Sequence, residues 1–150
     1  MVRLEPADLR PADELERFIA SLAGDGAVVS FVGLARPADA AGEIVTGLFL
    51  DAYPGMTEKS LDAIAAAALG RFAVSAVQIV HRCGNIAPGA PIVFAAAAAT
   101  HRRAAFDAAD YLMDRLKTDA ALWKREQRLD GPAWIEPSEA DRADRDRWND

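Results

Sequence analysis

The sequence predicts an α+β fold built on a mixed or antiparallel sheet with three main helices, and three observations carry that expectation. Apolar residues recur at helical spacing in separate stretches, with short β-branched and aromatic runs between them. Several of those runs follow one another directly, so hairpins accompany crossover connections. Pro54-Gly55 and Asp130-Gly131 place turn signals where the period changes.

After a short start, MVRLEP, the segment RPADELERFIASLAG sets Leu15, Phe18, Ile19 and Leu22 at helical spacing, with Pro11 early and Gly24 beyond the end. AVVSFVGLA, residues 27–35, reads as a buried strand and EIVTGLFLDAY as a second one. With PADAAG as a long connection between them, the two are expected to form a hairpin. Thr57 is the expected N-cap of a helix over 57–72, whose stripe is Leu61, Ile64, Ala65, Ala68 and Leu69. AVSAVQIVHRCG then reads as a strand ending in His81-Arg82, and NIAPGAP as a turn-rich loop.

The alanine run that follows is ambiguous, because alanine favours helix whereas Ile92, Val93 and Phe94 favour strand. A strand over 91–98 and a helix over 101–117 with Thr100 as N-cap are expected. ALWKREQRL and PAWIEP read as a terminal hairpin, and SEADRADRDRW as a polar helix or tail. No repeat or linker divides the chain, so one domain over residues 1–150 is expected.

The chain is 51% hydrophobic, enough for a sizeable core at 150 residues. Its net charge of -6 argues against general binding to a phosphate backbone, and no apolar run is long enough to suggest a transmembrane helix. The lone cysteine, Cys83, and the lack of an export-like N-terminus favour a reducing, cytoplasmic setting. The charge is unevenly spread. Between His81 and Arg128 there are eight Lys/Arg against five acids, together with both histidines, whereas both ends are acidic.

Two stretches in that basic region stand out. Thr100, His101, Arg102 and Arg103 open the predicted third helix, where free N–H groups and added cations suit an anion such as phosphate. The competing reading pairs one arginine with Asp107 and packs His101 away. LKTDAALWKRE sets Lys117 and Lys124 seven residues apart, with Lys124 and Glu126 on one strand face and Trp123 and Arg125 on the other. Nearby cations would lower a lysine pKa and make it useful for proton transfer or nucleophilic attack. The competing reading is a solvated Lys-x-Glu ion pair. His81 could in principle activate Cys83, but a buried structural thiol is the simpler reading. Nucleotide-cradle and metal-site motifs are missing, so neither a metal site nor a cofactor is implied.

In order along the chain, FVGLAR (31–36), DAYPGMTEKSL (51–61), HRCGNIAPG (81–89), THRRAAF (100–106), MDRLKT (113–118) and LWKRE (122–126) resemble the large, catalytic subunit of molybdopterin synthase. That resemblance implies an α/β-hammerhead fold and a homodimer, with a small ubiquitin-like sulfur-carrier subunit bound at each end. It implies a sulfurtransferase: two sulfurs pass from the carrier's C-terminal Gly-Gly thiocarboxylate to cyclic pyranopterin monophosphate, forming the dithiolene of molybdopterin. The carried-over site is Lys117 and Lys124 as catalytic amines, with Leu34, Ala35, Arg36, His101, Arg102, Arg125 and Glu126 binding substrate. Some of these residues are expected to come from the dimer partner. The chain departs from the family pattern at Ala120-Ala121, where a proline is common, at Ala35, and in the PADAAG loop. Two other classes remain open from sequence: a non-catalytic dimeric adaptor for a ubiquitin-like partner, and a Schiff-base lysine enzyme.

Overall fold

A computed structural model describes residues 1–149, in the order β1 (Val2–Glu5), α1 (Pro11–Ala20), β2 (Ala27–Leu34), β3 (Val45–Ala52), α2 (Met56–Arg71), β4 (Ala76–Arg82), β5 (Gly84–Ile86), β6 (Pro91–Ala99), α3 (Arg102–Thr118), β7 (Leu122–Arg128), β8 (Gly131–Ile135) and α4 (Glu139–Asp146). The α+β class is as expected, but the strands divide into two sheets, ordered β1-β4-β6-β2 and β5-β3-β7-β8. In the first, β1 runs parallel to β4 and the other pairs are antiparallel. The second is antiparallel throughout.

The alanine run forms β6, at the centre of the first sheet. Hydrogen bonding to β4 on one side and β2 on the other overrides alanine's helical propensity. Its small side chains let helices approach both faces. Val93, Ala95 and Ala97 pack with Leu61, Ile64, Leu112 and Leu116 under α2 and α3, whereas Phe94, Ala96 and Ala98 pack with Leu9 and Phe18 beneath α1. The second sheet has a small core of its own, made by Ala35, Leu48, Leu50 and Ile86.

Several local expectations are overturned. Residues 27–35 and 43–53 do not form a hairpin: β2 pairs with β6, while β3 pairs with β5 and β7. A register shift at Gly33/Leu34 and the bonds Ala35 N to Ala90 O (2.9 Å) and Gly89 N to Ala35 O (2.6 Å) turn the chain out of the first sheet, leaving one bridge, Ala38 to Ile44, between the two arms. The NIAPGAP segment contributes to β5, and Gly84, at φ +80°, makes the sharp turn that separates β5 from β4. Helix α2 starts at Gly55, whose N–H donates to Glu58 Oε2 (2.8 Å), and not at Thr57. The Thr57 hydroxyl is engaged elsewhere, accepting from Tyr53 N (2.8 Å) and donating to Ala121 O (2.6 Å). Because Ser60 Oγ accepts from Ala121 N (2.9 Å), the first turn of α2 holds the approach to β7 by both polar groups of one residue. The N-cap of α3 is His101, with extended backbone, and not Thr100.

The terminal segment is a helix. Ser138 caps α4, accepting from Asp141 N (3.1 Å) while Asp141 Oδ2 accepts from Ser138 N (2.8 Å). Arg147 pairs with Asp110 (2.8 Å) and Asp114 (2.7 Å), and the Trp148 ring meets Phe72 and Tyr111 edge-on, so α4 lies along α3.

Beneath α1, the Glu14 carboxylate is 2% exposed and accepts from Arg3 (2.5 Å), Arg17 (2.6 Å) and Gln78 (2.8 Å). Burial pushes its pKa up, but the two guanidinium donors outweigh burial and hold it below the ordinary glutamate value. Its contribution to stability is therefore complete above the unfolded-state pKa and is lost as pH falls through the lower folded-state value. Glu14→Ala is expected to cost about 2–3 kcal/mol in urea unfolding at neutral pH, because it strands buried donors. The substitution should also flatten the acid limb of the stability profile.

Candidate functional site

Strand direction decides which cations meet. Strand β6 runs from the end of the sheet occupied by His81 and Leu34 to the end occupied by Ala76 and Ala27. Helix α3 then returns, so its first turn lies at the Ala27 end and its last turn at the His81 end. Between Arg102 and Lys117 the helix rises roughly 23 Å at 1.5 Å per residue. Within one chain the sequence-derived site is thus split in two.

At the His81 end, Lys117 in the last turn of α3 and Lys124 on β7 share one electrostatic environment with Arg36, just beyond β2. Lys124 is half-buried. Burial is the main cause of its pKa lying below the ordinary 10.5, the Lys117 and Arg36 charges lower it further, and Glu126 and Asp141 oppose them. Asp141, on α4, lies below the usual aspartate value: burial raises it, but hydrogen bonds from Ser138 and the charges of Lys117 and Lys124 prevail. Sequence reasoning missed Asp141, whose visible signal is only its place in a helix cap. It also weighed His81 solely as a partner for Cys83. Alternation along β4 sets His81 on the face of Val77 and Ile79, beneath α2 and α3, and its pKa is depressed to about 4 by burial and by both lysines. Cys83 is only partly buried, and burial raises its thiol pKa, which is opposite to activation.

The Lys-x-Glu pair of the sequence is not made. Glu126, 8% exposed, accepts from Arg128 Nε (3.2 Å) and Nη2 (2.9 Å), and Arg128 also reaches Asp39 (3.2 Å). Asp39 in turn accepts from Ala41 N and Glu43 N, both at 2.9 Å. Glu126 therefore anchors the loop that follows Arg36. Ala35 is buried in the second core and acts through its backbone, while Leu34 is 55% exposed on the outer edge of β2. Arg125 stands apart from the lysines in the single chain. It lies on the opposite face of β7 from Lys124, stacked against Phe49 (4.9 Å) and Trp134 (5.4 Å), and does not join the lysines.

At the far end, His101, Arg102 and Arg103 line a recess with Gly26, Ala27 and Thr100 at the start of α3. The Arg103–Asp107 pair allowed by the sequence is not formed. Among the described residues, His101, Arg102, Arg103, Arg36, Lys117 and Lys124 make no side-chain hydrogen bond or ion pair, whereas Arg3, Arg17, Arg82, Arg115, Arg128 and Arg147 all do. Cations left without carboxylates at two helix ends are suited to an anionic ligand. Among the described residues no three His, Cys, Asp or Glu side chains are grouped to hold a metal, and no helix is long and apolar enough to cross a membrane.

Beyond this geometry, the family model described as MoaE protein matches residues 4–119. The chain belongs to the MoaE family. Among its relatives, the molybdopterin synthase catalytic subunit of Caulobacter vibrioides is 48% identical over 149 residues, 99% of this chain and 97% of that protein. The subunit of the same name from Pseudomonas aeruginosa is 46% identical, covering 99% of each. A solved structure described as the molybdopterin biosynthesis MoaE protein of Burkholderia ambifaria superposes with a TM-score of 0.84 at 37% identity, over 100% of this chain and 98% of that one. The sequence resemblance is thereby confirmed at the level of family and fold.

The charge environment of this MoaE chain has a direct test. With carbon-labelled lysine, Lys124 is expected to titrate below 10.5 in NMR, lower still in Glu126→Gln, and higher in Lys117→Met, since the first change removes an opposing carboxylate and the second a like charge. An unchanged titration in both variants would contradict the arrangement.

Proposed function

We propose that the protein is the catalytic subunit of a molybdopterin synthase. It would transfer two sulfurs from the thiocarboxylated C-terminus of a small carrier subunit to cyclic pyranopterin monophosphate. The observation that carries this reading is the set of unpaired cations, Arg36, Lys117 and Lys124 at one end and His101 and Arg102 at the other, in a chain of the MoaE family. Relatives named as catalytic subunits, alike over nearly the whole chain, support the same reading.

Each cation has a chemical part. Lys117 and Lys124 hold the carrier's terminal thiocarboxylate; its sulfur bonds to a side-chain carbon of the pterin as the oxygen on that carbon leaves, protonated, as water or as the opened phosphate ester, and water then hydrolyses the resulting thioester to the carrier carboxylate and a pterin thiol. Lys124, half-buried and with its pKa lowered by burial and by the neighbouring cations, is suited to proton transfer. His101 and Arg102, at a helix N-terminus, bind the cyclic phosphate. Arg36 offsets charge developing between them.

For the two clusters to act on one substrate, a second copy is needed, and the edge of the first sheet supports one. β2 is an edge strand, and Phe31, Val32 and Leu34 on it are exposed, as is Phe106 on α3. A soluble protein rarely leaves such an apolar edge uncovered. Antiparallel pairing of β2 with its copy about a two-fold axis sets Ala27 opposite Leu34 of the partner. His101 and Arg102 of one subunit then approach Arg36, Lys117 and Lys124 of the other, and the length of β2 matches the length of α3 that separated them.

The purified protein, a thiocarboxylated carrier and the cyclic pterin are expected to give a dithiolene product, detected by its fluorescent oxidation product. No product with a carrier proven competent elsewhere would refute the reading. Lys117→Ala and Arg102→Ala should each fold and lose activity. Mixed and re-equilibrated, the two inactive variants should recover about a quarter of wild-type turnover, because half the dimers are hybrid and each hybrid has one intact site. No recovery would place both residues in the same chain's site. A non-catalytic adaptor would bind carrier and show none of these activities.

A further inference from the structure

Among the described residues the Arg36 side chain makes no hydrogen bond or ion pair, so its place is set by the backbone that carries it. Before it, Ala35 is bolted to the turn at 87–90: its N–H donates to Ala90 O (2.9 Å) and its carbonyl accepts from Gly89 N (2.6 Å). After it, Pro37 O accepts from Val45 N (2.8 Å) and Ala38 bridges to Ile44. The loop then closes on Asp39. Its N–H donates to Glu43 O (2.9 Å), its carbonyl accepts from Gly42 N (3.1 Å), and its Oδ1 accepts from Ala41 N and Glu43 N, both at 2.9 Å. With Oδ1 closing the turn, Oδ2 faces Arg128 Nη2 at 3.2 Å.

Arg128 holds two carboxylates at once. The same Nη2 lies 2.9 Å from Glu126 Oε2, and Nε donates to that oxygen at 3.2 Å. The side chains of Arg128, Asp39 and Glu126 are 25%, 13% and 11% exposed, so this link is less screened than an ion pair in open solvent. Alternation places Lys124, Glu126 and Arg128 on one face of β7. We propose that Arg128 is a positioning residue for the transfer reaction: by joining Asp39 to Glu126 it straps the 37–44 loop to β7, and so fixes Arg36 relative to the strand that bears Lys124. A carboxylate set directly on Arg36 would also hold it, but would neutralise the charge that an anionic substrate meets. Holding the loop from further along β7 leaves that charge free.

This rests on the sulfur-transfer reading, so the experiment has one arm that needs no turnover. In the nitrogen-labelled full-length protein, the amides of Arg36 and residues 38–44 are expected to be as ordered as the strands, with order parameters of about 0.85, and in Arg128→Met to fall to about 0.6. Asp39→Asn, which keeps the turn-closing oxygen and leaves Arg128 with Glu126, should loosen the same amides and decides the matter where Arg128→Met does not fold. Amides that stay ordered in the folded variant would overturn the proposal. In the activity arm, Arg128→Met should lower kcat about 10–30-fold with carrier affinity unchanged, the scale of a misplaced charge. Arg128→Lys, which keeps the charge but not the fork, should recover part of it. In an Arg36→Ala background Arg128→Met should cost less than about twofold, because the group it positions is gone. Equal cost with and without Arg36 would make Arg128 merely structural and also overturn the proposal. Lack of turnover by the unsubstituted protein would defeat the functional reading alone, with the NMR arm still deciding the strap.

Discussion

The alanine strand β6 constrains everything around it. Its alternate side chains enter two cores, so it must be thin on both faces, and Ala95 through Ala99 are fully buried. A larger residue on either face would push a helix away from the sheet, and the overpacking would cost on the order of 1–3 kcal/mol. Because α3 follows β6 with only Thr100 and His101 between them, the direction of β6 also fixes the direction of α3. From there the separation of His101 from Lys117 is a matter of helix length, and no side-chain adjustment can close it.

The second sheet supplies what the first cannot. Lys124 reaches the end of α3 because β7 is held in register between β3 and β8, and because Thr57 and Ser60 grip the backbone of Ala121 just before it. The common family proline near that point would remove an N–H if placed at 121; here that N–H donates to Ser60. The chain thus fixes the approach to β7 by side-chain hydrogen bonds where a proline ring would fix it by φ. On the other side, Arg128 joins Glu126 to Asp39, tying the loop beyond Arg36 to the same strand. Arg36 and Lys124 are held near each other by a charged bridge between buried and turn residues, so that neither cation spends its own charge on being positioned.

Legibility in the sequence tracks how local each signal is. Helices α1 and α3 and the β7–β8 hairpin are periodic or bounded by strong turn chemistry, and they were readable within a residue or two. The caps at Thr57 and Thr100 were misread because both are good capping residue types, while Gly55 and His101 took the positions through backbone geometry. The supposed β2–β3 hairpin failed for a different reason. Strand partners are chosen by tertiary competition, and β6 offered β2 a longer, buried ladder than β3 could. In the site, alternation separates Lys124 and Glu126 from Arg125, and the single chain keeps that separation, with Arg125 against Phe49 and Trp134 on the other face of β7. His81 was visible as the next position on the Val77–Ile79 face, but that face reads as core until the helix covering it is known to end in a lysine.

The unpaired cations also bear on why two chains suit this architecture. Placing Arg36, Lys117 and Lys124 together with no carboxylate in a direct ion pair, and only the more distant Glu126 and Asp141 to oppose them, raises the electrostatic cost of the folded chain, and the depressed pKa of Lys124 reports part of that cost. A second cluster at the same end would add to it. By letting α3 carry His101 and Arg102 to the opposite end, a single chain keeps each cluster small enough to fold around, and the exposed apolar edge of β2 remains available for self-pairing. In the proposed dimer the hydrophobic gain of covering Phe31, Val32 and Leu34 is coupled to bringing like charges toward one another. Anionic substrate should then bind most tightly to the paired state, because it relieves repulsion that the apolar contact imposes, and by linkage substrate should strengthen the dimer by the same factor.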